Sequence, residues 1–107
     1  MKRIIQYETQ EGEVPFRAWL LAFKDATVRA RIRTRMDRLL LGNFGDCKPV
    51  GGGVSELRLH FGPGYRVYFG IDHDANIILL LGGDKSKQER DICRAQQFWA
   101  DHLRRSQ

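Results

Sequence analysis

Apolar and polar positions alternate through residues 53 to 71, which is the pattern of half-buried β-strands. Successive side chains of a strand point to opposite faces. The apolar face of the first strand carries Leu57, Leu59 and Phe61, and its polar face carries Glu56, Arg58 and His60. After a turn at residues 61 to 64, Val67 and Phe69 continue the apolar face, and Arg66 and Tyr68 continue the polar one. The pattern predicts an antiparallel hairpin with basic side chains on one face.

A continuous apolar run follows at residues 77 to 81. Such a run is typical of a strand buried on both faces in the middle of a sheet. The short polar connection at residues 72 to 76 predicts a second hairpin. Because a central strand needs a further neighbour, we place the N-terminal segment RIIQY, residues 3 to 7, beside it. We therefore expect a mainly antiparallel four-stranded sheet.

Three segments have the apolar periodicity of helices. The first stripe consists of Phe16, Trp19, Leu20 and Phe23, the second of Val28, Ile32, Met36, Leu39 and Leu40, and the third of Ile92, Ala95, Trp99 and Leu103. Pro15 suits the first turn of the first helix, and Ser86 with Glu89 predicts a capping box before the third. The glycine-rich residues 42 to 53 are interpreted as a flexible connection. The expected fold is α+β with the order β-α-α-β-β-β-α.

Length and composition narrow the class of protein. With 107 residues, the chain is expected to form a single domain over residues 1–107. Its two cysteines lack the CxxC spacing, so reduced thiols are expected. No segment is apolar enough for a signal peptide or a membrane span, and we expect a soluble cytoplasmic protein without a membrane role. The net charge of +5 favours an acidic partner such as nucleic acid, ribosome or an acidic protein segment.

The candidate chemistry is cationic. The three histidines are isolated and no cofactor motif occurs, so we expect neither a metal site nor a cofactor. Arg58 and Arg66 lie on the polar face of adjacent strands, and Lys85 follows the buried strand. Such groups would stabilise the charge that builds on a phosphodiester during cleavage. The alternatives are cross-strand pairing of the arginines with Glu56 or Asp72, and a purely solubilising role for Lys85.

Further residues are candidates for RNA binding. Arg31 and Arg35 belong to a basic stripe on the second helix, which either tracks a phosphate backbone, meets an acidic antagonist or is simply solvated. Tyr68 is expected to stack on a nucleobase beside Arg66. Two lysines complete the predicted RNA-binding set, Lys48 and Lys87. His60 is either a surface residue or a catalytic base.

The segments ELRLHFGPGYRVYF and LLLGGDKSKQERDI, together with the order of elements, resemble the RelE/ParE superfamily of type II toxins. The resemblance is strongest to the addiction module killer proteins related to HigB-like toxins. It implies a RelE-like fold and a ribosome-dependent endoribonuclease that cuts mRNA without a metal, through attack of the ribose 2′-OH on the phosphate. Arg66, Lys85 and Arg58 match basic positions of the family, and they are the predicted catalytic residues together with His60.

The resemblance also implies partners: the ribosome, mRNA and a cognate antitoxin, usually a small helix-turn-helix protein. We expect the antitoxin to cover the basic face or the arginine-rich helix. The chain departs from the family at its C-terminus, where ADHLRRSQ supplies no counterpart of the tyrosine or histidine found near the leaving group. The acid and base therefore stay unassigned, with His60 and His102 as alternatives. Two other functions stay open: gyrase poisoning of the ParE type, and nucleic-acid binding without either activity.

Overall fold

The computed structural model of the chain describes residues 2–106. Within that range the chain is α+β. The strands are β1 (Ile4–Gln6), β2 (Cys47–Gly51), β3 (Val54–Arg58), β4 (Arg66–Ile71) and β5 (Ile77–Gly83). The helices are α1 (Pro15–Leu21), α2 (Ala26–Leu40) and α3 (Gln88–Arg105), and a 3-10 turn, Lys85–Lys87, leads into α3. None of these helices is long and apolar enough to cross a membrane.

The strands form one mixed sheet in the order β1-β5-β4-β3-β2. β1 runs parallel to β5, with Ile4 opposite Ile77, and every other pair of neighbours is antiparallel. β5 thus lies between β1 and β4, and its residues from Ile77 to Leu81 are buried. The predicted hairpins, the buried strand and its N-terminal neighbour are confirmed.

The expectation of four strands is wrong, because β2 adds a fifth at the edge of the sheet. Residues 47–51, predicted as part of a flexible connection, pair with β3 and place Lys48 opposite Glu56. The glycines at 51–53 all have positive φ, which lets the chain turn back tightly between the two strands. Pro49 and the exposed position of β2 fit an edge strand, which needs no apolar alternation. The observed order is β-α-α-β-β-β-β-α.

Two hydrophobic cores lie on the two faces of the sheet. On the first face, helices α1 and α2 bury the predicted stripes against the strands. This core consists of Phe16, Leu20, Ile32, Met36, Leu39, Leu57, Leu59, Val67, Phe69, Ile77 and Leu79. The predicted helical hairpin is therefore confirmed as one layer of the fold.

Helix α3 covers the opposite face of the sheet. The core there consists of Tyr7, Val54, Tyr68, Ile78, Leu80, Leu81, Ala95 and Trp99. A Cβ atom on Gly70 would collide with the indole of Trp99, so glycine at this position lets the ring lie directly against β4. Leu103, predicted to continue the buried stripe, is instead 44% exposed.

The start of α3 differs from the predicted capping box. Asp84 caps the 3-10 turn that precedes α3: its Oδ1 accepts a hydrogen bond from the backbone N–H of Ser86 at 2.9 Å. The Ser86 hydroxyl also donates to Asp84, and these bonds lower the pKa of the Asp84 carboxyl. The 3-10 turn inserts Lys87 as the residue before α3, with no side-chain cap of its own. Glu89 therefore lies one position too early in α3 for the reciprocal bond of a capping box.

Candidate functional site

A row of cationic residues crosses one end of the sheet. Arg58 at the end of β3 is in register with Arg66 at the start of β4, and Arg66 is in register with Gly83 at the end of β5. Lys85 follows two residues later. A Cβ atom on Gly64 would lie 3.3 Å from Nη1 of Arg66 and 3.4 Å from Cβ of Lys85. We call Arg58, Arg66 and Lys85 the cationic row, since the fold brings these predicted catalytic residues together.

A buried carboxylate organises the two arginines of the cationic row. Glu56 is fully buried, and its Oε1 lies 3.5 Å from Nε of Arg58 while its Oε2 lies 3.6 Å from Nε of Arg66. Gln88, the first residue of α3, donates to Oε2 at 2.9 Å. Nη1 of Arg66 donates to the carbonyl oxygen of Gly64 at 2.8 Å. Arg66 is thereby held by a hydrogen bond and by the charge of Glu56, whereas Arg58 is oriented by the charge of Glu56, since neither Nε atom has a hydrogen-bond partner among the described residues.

The cationic row keeps a net positive charge and an open side. Glu56 lies beside the two arginines, and Asp84, whose carboxyl interacts with the charge of Arg66, precedes Lys85, so three cations stand beside two carboxylates. The side chain of Arg58 is 38% exposed, that of Arg66 is only 10% exposed, and Lys85 is exposed. Cations that are fixed by the fold and partly desolvated bind an anion more strongly than mobile surface cations. Of the alternatives raised for the two arginines, pairing with Glu56 is observed.

Tyr68 lies on the same face as Arg66, as predicted, and opposite Glu56 in the sheet register, but it has no access to solvent. Its side chain is fully buried under α3, so the expectation that it stacks on a nucleobase is wrong. Burial and the neighbouring charge of Glu56 raise the pKa of its phenol. The face of β4 that alternation marks as polar is covered by a helix and not by solvent. Tyr68 is part of the core that supports the site.

A second cationic surface lies between α2 and the end of β3, where a cleft of about 560 Å³ opens. Its charged and aromatic lining comprises Arg31, Arg35, Arg38, Asp46, Arg58, His60 and Phe61. We call it the arginine cleft. The guanidinium carbon of Arg31 lies 4.0 Å from the centre of the Phe61 ring, and Nη2 of Arg35 donates to the carbonyl oxygen of Phe44 at 3.2 Å. Arg58 belongs to both the arginine cleft and the cationic row.

His60 lies at the rim of the arginine cleft. Its Nε2 is 2.9 Å from Oδ2 of Asp46, a residue just before β2. The pair joins the segment that precedes β2 to the segment that follows β3. The structure therefore places His60 beside the arginines of α2 and Arg58.

The two lysines predicted to bind RNA occupy different places. Lys48 lies on the edge strand β2, exposed and directly opposite Glu56 in the sheet register, next to the cationic row. Lys87 instead lines a separate cavity between α1 and α3, together with Trp19, Gly83 and Asp91. The fold thus brings Lys48 toward the site and directs Lys87 elsewhere.

Several contributors to the site have only a weak signal in the sequence. Glu56 and Arg58 share a face by alternation, which indicates a pair, but the contact of Glu56 with Arg66 depends on strand register. Asp46 and Gln88 reach the site through the tertiary fold, and no local pattern identifies them. Within residues 2–106, no three His, Cys, Asp or Glu side chains are grouped so that they could hold a metal ion.

Two comparisons with known proteins give matches that cover about three quarters of the chain. A protein of Haemophilus influenzae strain Rd, described as an uncharacterized protein, is 47% identical over 81 residues, which cover 76% of this chain and 82% of that protein. The family model described as phage derived protein Gp49-like (DUF891) matches residues 18–98. The match includes α2, the strands β2 to β5, the cationic row and the arginine cleft. The chain belongs to the phage-derived Gp49-like family.

Proposed function

We propose that the protein is the toxin of a type II toxin-antitoxin system and that it cleaves mRNA on the ribosome, as RelE-like toxins do. The observation that carries the proposal is the cationic row, in which Glu56 lies beside both Arg58 and Arg66, and Gly64 approaches both Arg66 and Lys85. The resemblance of ELRLHFGPGYRVYF and LLLGGDKSKQERDI to RelE/ParE toxins supports the same function.

The cationic row suits the charge changes of this reaction. The ribose 2′-oxygen loses its proton and bonds to the adjacent phosphorus, the bond to the 5′-oxygen of the next nucleotide breaks, and that oxygen takes up a proton. Negative charge on the phosphoryl oxygens rises in the transition state, so preorganised cations stabilise it more than the ground state. Arg58 and Lys85 reach solvent and would contact these oxygens, while buried Arg66 supports them.

The function is tested in a translation extract. Purified protein is added to a translated message, and the message ends are mapped by primer extension. We expect cuts within the translated region for the wild type and at least a tenfold slower appearance of cut ends for Lys85→Gln, because a lost charge-assisted contact costs about 1.5–3 kcal/mol. The matched control is Lys24→Gln, which removes the same charge from an exposed residue between α1 and α2.

Three results would contradict the activity or the site of the proposal. Intact messages in an extract whose protein synthesis has stopped would exclude mRNA cleavage as the activity. Inhibition of gyrase in a supercoiling assay, again with intact messages, would assign the protein to the ParE type of activity. Equal cleavage by Lys85→Gln and Lys24→Gln would retain the nuclease and reject the cationic row as its site.

A cognate antitoxin is part of the proposal. An acidic segment of such a partner would bind the exposed cations by charge complementarity. We expect co-expression with the product of the neighbouring gene to restore growth of cells that produce the toxin. Harmless expression of the protein alone would argue against a toxin.

A further inference from the structure

The arginine cleft has guanidinium groups that are anchored on one side and free to donate on another. The guanidinium carbon of Arg31 lies over the Phe61 ring, and this cation–π contact takes up no hydrogen-bond acceptor. Arg35 donates from Nη2 to the carbonyl oxygen of Phe44, and a Cβ atom on Gly45 would collide with that nitrogen. Arg58 directs Nε toward Glu56. Each anchor reduces the side-chain entropy that would be lost when a ligand binds.

The charge of the arginine cleft selects an anionic ligand. Four arginines line it, and the carboxylate among its lining residues, Asp46, is engaged by His60 at 2.9 Å. The volume of about 560 Å³ is in the range of pockets that enclose a small-molecule ligand. Arg31 and Arg35 are four residues apart on α2, so their side chains lie next to each other along the cleft. The cleft therefore offers adjacent donors to more than one anionic group.

Two features favour RNA over an acidic peptide. Arg58 belongs to the arginine cleft and to the cationic row, so successive phosphates of one strand can meet cations in both. The Arg31 guanidinium on Phe61 also presents a flat cation, which is a surface on which unpaired RNA bases stack. A glutamate or aspartate side chain would make no use of that flat surface.

We propose that the arginine cleft binds the backbone of single-stranded RNA next to the phosphate held by the cationic row. The inference rests on the proposed function for the class of substrate. Arg31, Arg35 and Arg38 contact phosphates that are not cut, and the Arg31–Phe61 stack supports a neighbouring base. The arginine cleft thus positions the message, while the cationic row performs the reaction.

The test uses RNA that cannot be cut. A short fluorescein-labelled single-stranded RNA with 2′-O-methyl groups at every position lacks the attacking hydroxyl, so its fluorescence anisotropy reports binding alone. We expect Arg31→Gln and Arg35→Gln each to weaken binding about tenfold. Each should also reduce the slope of log affinity against log salt by about 0.7, the value for one phosphate contact on a single strand.

The matched control is Arg33→Gln, an exposed arginine of the same helix that does not line the arginine cleft. We expect its affinity and salt slope to equal those of the wild type. Thermal unfolding is measured for all three variants to show that each is folded. We expect a cooperative transition in each, because these side chains are outside the core.

The inference is overturned if the wild type fails to bind the oligonucleotide, or if Arg33→Gln weakens binding as much as Arg31→Gln. It is also overturned if the cleft variants keep RNA affinity and lose affinity only for the antitoxin, which would make the cleft a protein-binding surface. Loss of oligonucleotide binding in the cleft variants, together with intact messages for the wild type, would support the cleft and reject the proposed nuclease.

Discussion

Glu56→Gln tests whether a buried carboxylate holds the cationic row together. The change keeps the size of the side chain and its ability to accept from Gln88, but it removes the negative charge beside Arg58 and Arg66. The guanidinium of Arg66, whose side chain is 10% exposed, then lies in the protein without its counter-ion. An uncompensated buried charge is costly because solvent does not replace the lost partner.

The expected loss of stability follows from the exposure of the two arginines. Removing one partner of a buried ion pair costs about 3–5 kcal/mol. The side chain of Arg58 is 38% exposed, so solvent screens its interaction with Glu56. The loss in free energy of unfolding should therefore be at the lower end of this range, about 3 kcal/mol. In a domain of this size 1 kcal/mol shifts Tm by roughly 4–8 °C, so Tm should fall by more than about 10 °C.

The assay is a double-mutant cycle with Arg66→Met, measured by urea unfolding. Glu56→Gln leaves the buried Arg66 without Glu56, and Arg66→Met leaves the buried Glu56 with only the partly exposed Arg58. The double variant removes both charges, so it should lose less free energy of unfolding than the sum of the two single losses. We expect a coupling free energy of about 2 kcal/mol. Glu89→Gln, on the exposed first turn of α3, is the matched control and should change stability by less than about 0.5 kcal/mol.

Two results would refute the reasoning. If Glu56→Gln unfolds at the same urea concentration as the wild type, the carboxylate contributes no net stabilisation to the buried arginine. If the two single changes add without coupling, Glu56 and Arg66 do not act as a pair, and the orientation of the cationic row must come from other contacts.

Two further predictions concern groups outside the site. The Tyr7 hydroxyl donates to Asp101 at 2.5 Å, and burial with this bond raises the pKa of Tyr7 to about 12. The contribution of the neutral phenol to the free energy of unfolding is complete below the pKa of an unfolded tyrosine, about 10, and is lost as pH rises toward about 12. Tyr7→Phe should remove this alkaline loss. Equal plots of unfolding free energy against pH for both proteins in this range would contradict it. Cys47 donates its thiol hydrogen to the Phe44 carbonyl oxygen, and burial raises its pKa to about 11, whereas Cys93 is exposed. Mass spectrometry after iodoacetamide treatment at pH 8 should find Cys93 alkylated well before Cys47, and equal rates would contradict the assignment.

Much of the fold follows from local patterns in the sequence. The stripes that include Phe16 and Ile32 predict helices correctly, because amphipathic periodicity reflects which face is buried. The buried run that forms β5 is equally clear. Strand β2 has no such signal, because an edge strand is held by backbone hydrogen bonds to β3 and buries few side chains.

The candidate site could be predicted only in part. Alternation correctly groups Arg58 with Arg66, since both belong to the same face of adjacent strands. The same reasoning fails for Tyr68, because α3, which covers this face, is distant in sequence. An alternating pattern does not distinguish a solvent-exposed face of a sheet from one that a helix covers. The contact of Asp46 with His60 depends on how β2 pairs, so it could not be derived before that strand was known.

The chemistry of the message ends tests the central claim most directly. Messages translated in an extract with the purified protein are isolated, and the 3′ ends of the upstream fragments are identified by enzymatic end-group analysis. We expect cuts in the translated region whose upstream fragments end in a 2′,3′-cyclic phosphate, the product of 2′-oxygen attack. Full-length messages in an arrested extract, or upstream fragments that end in a free 3′-hydroxyl, would contradict it.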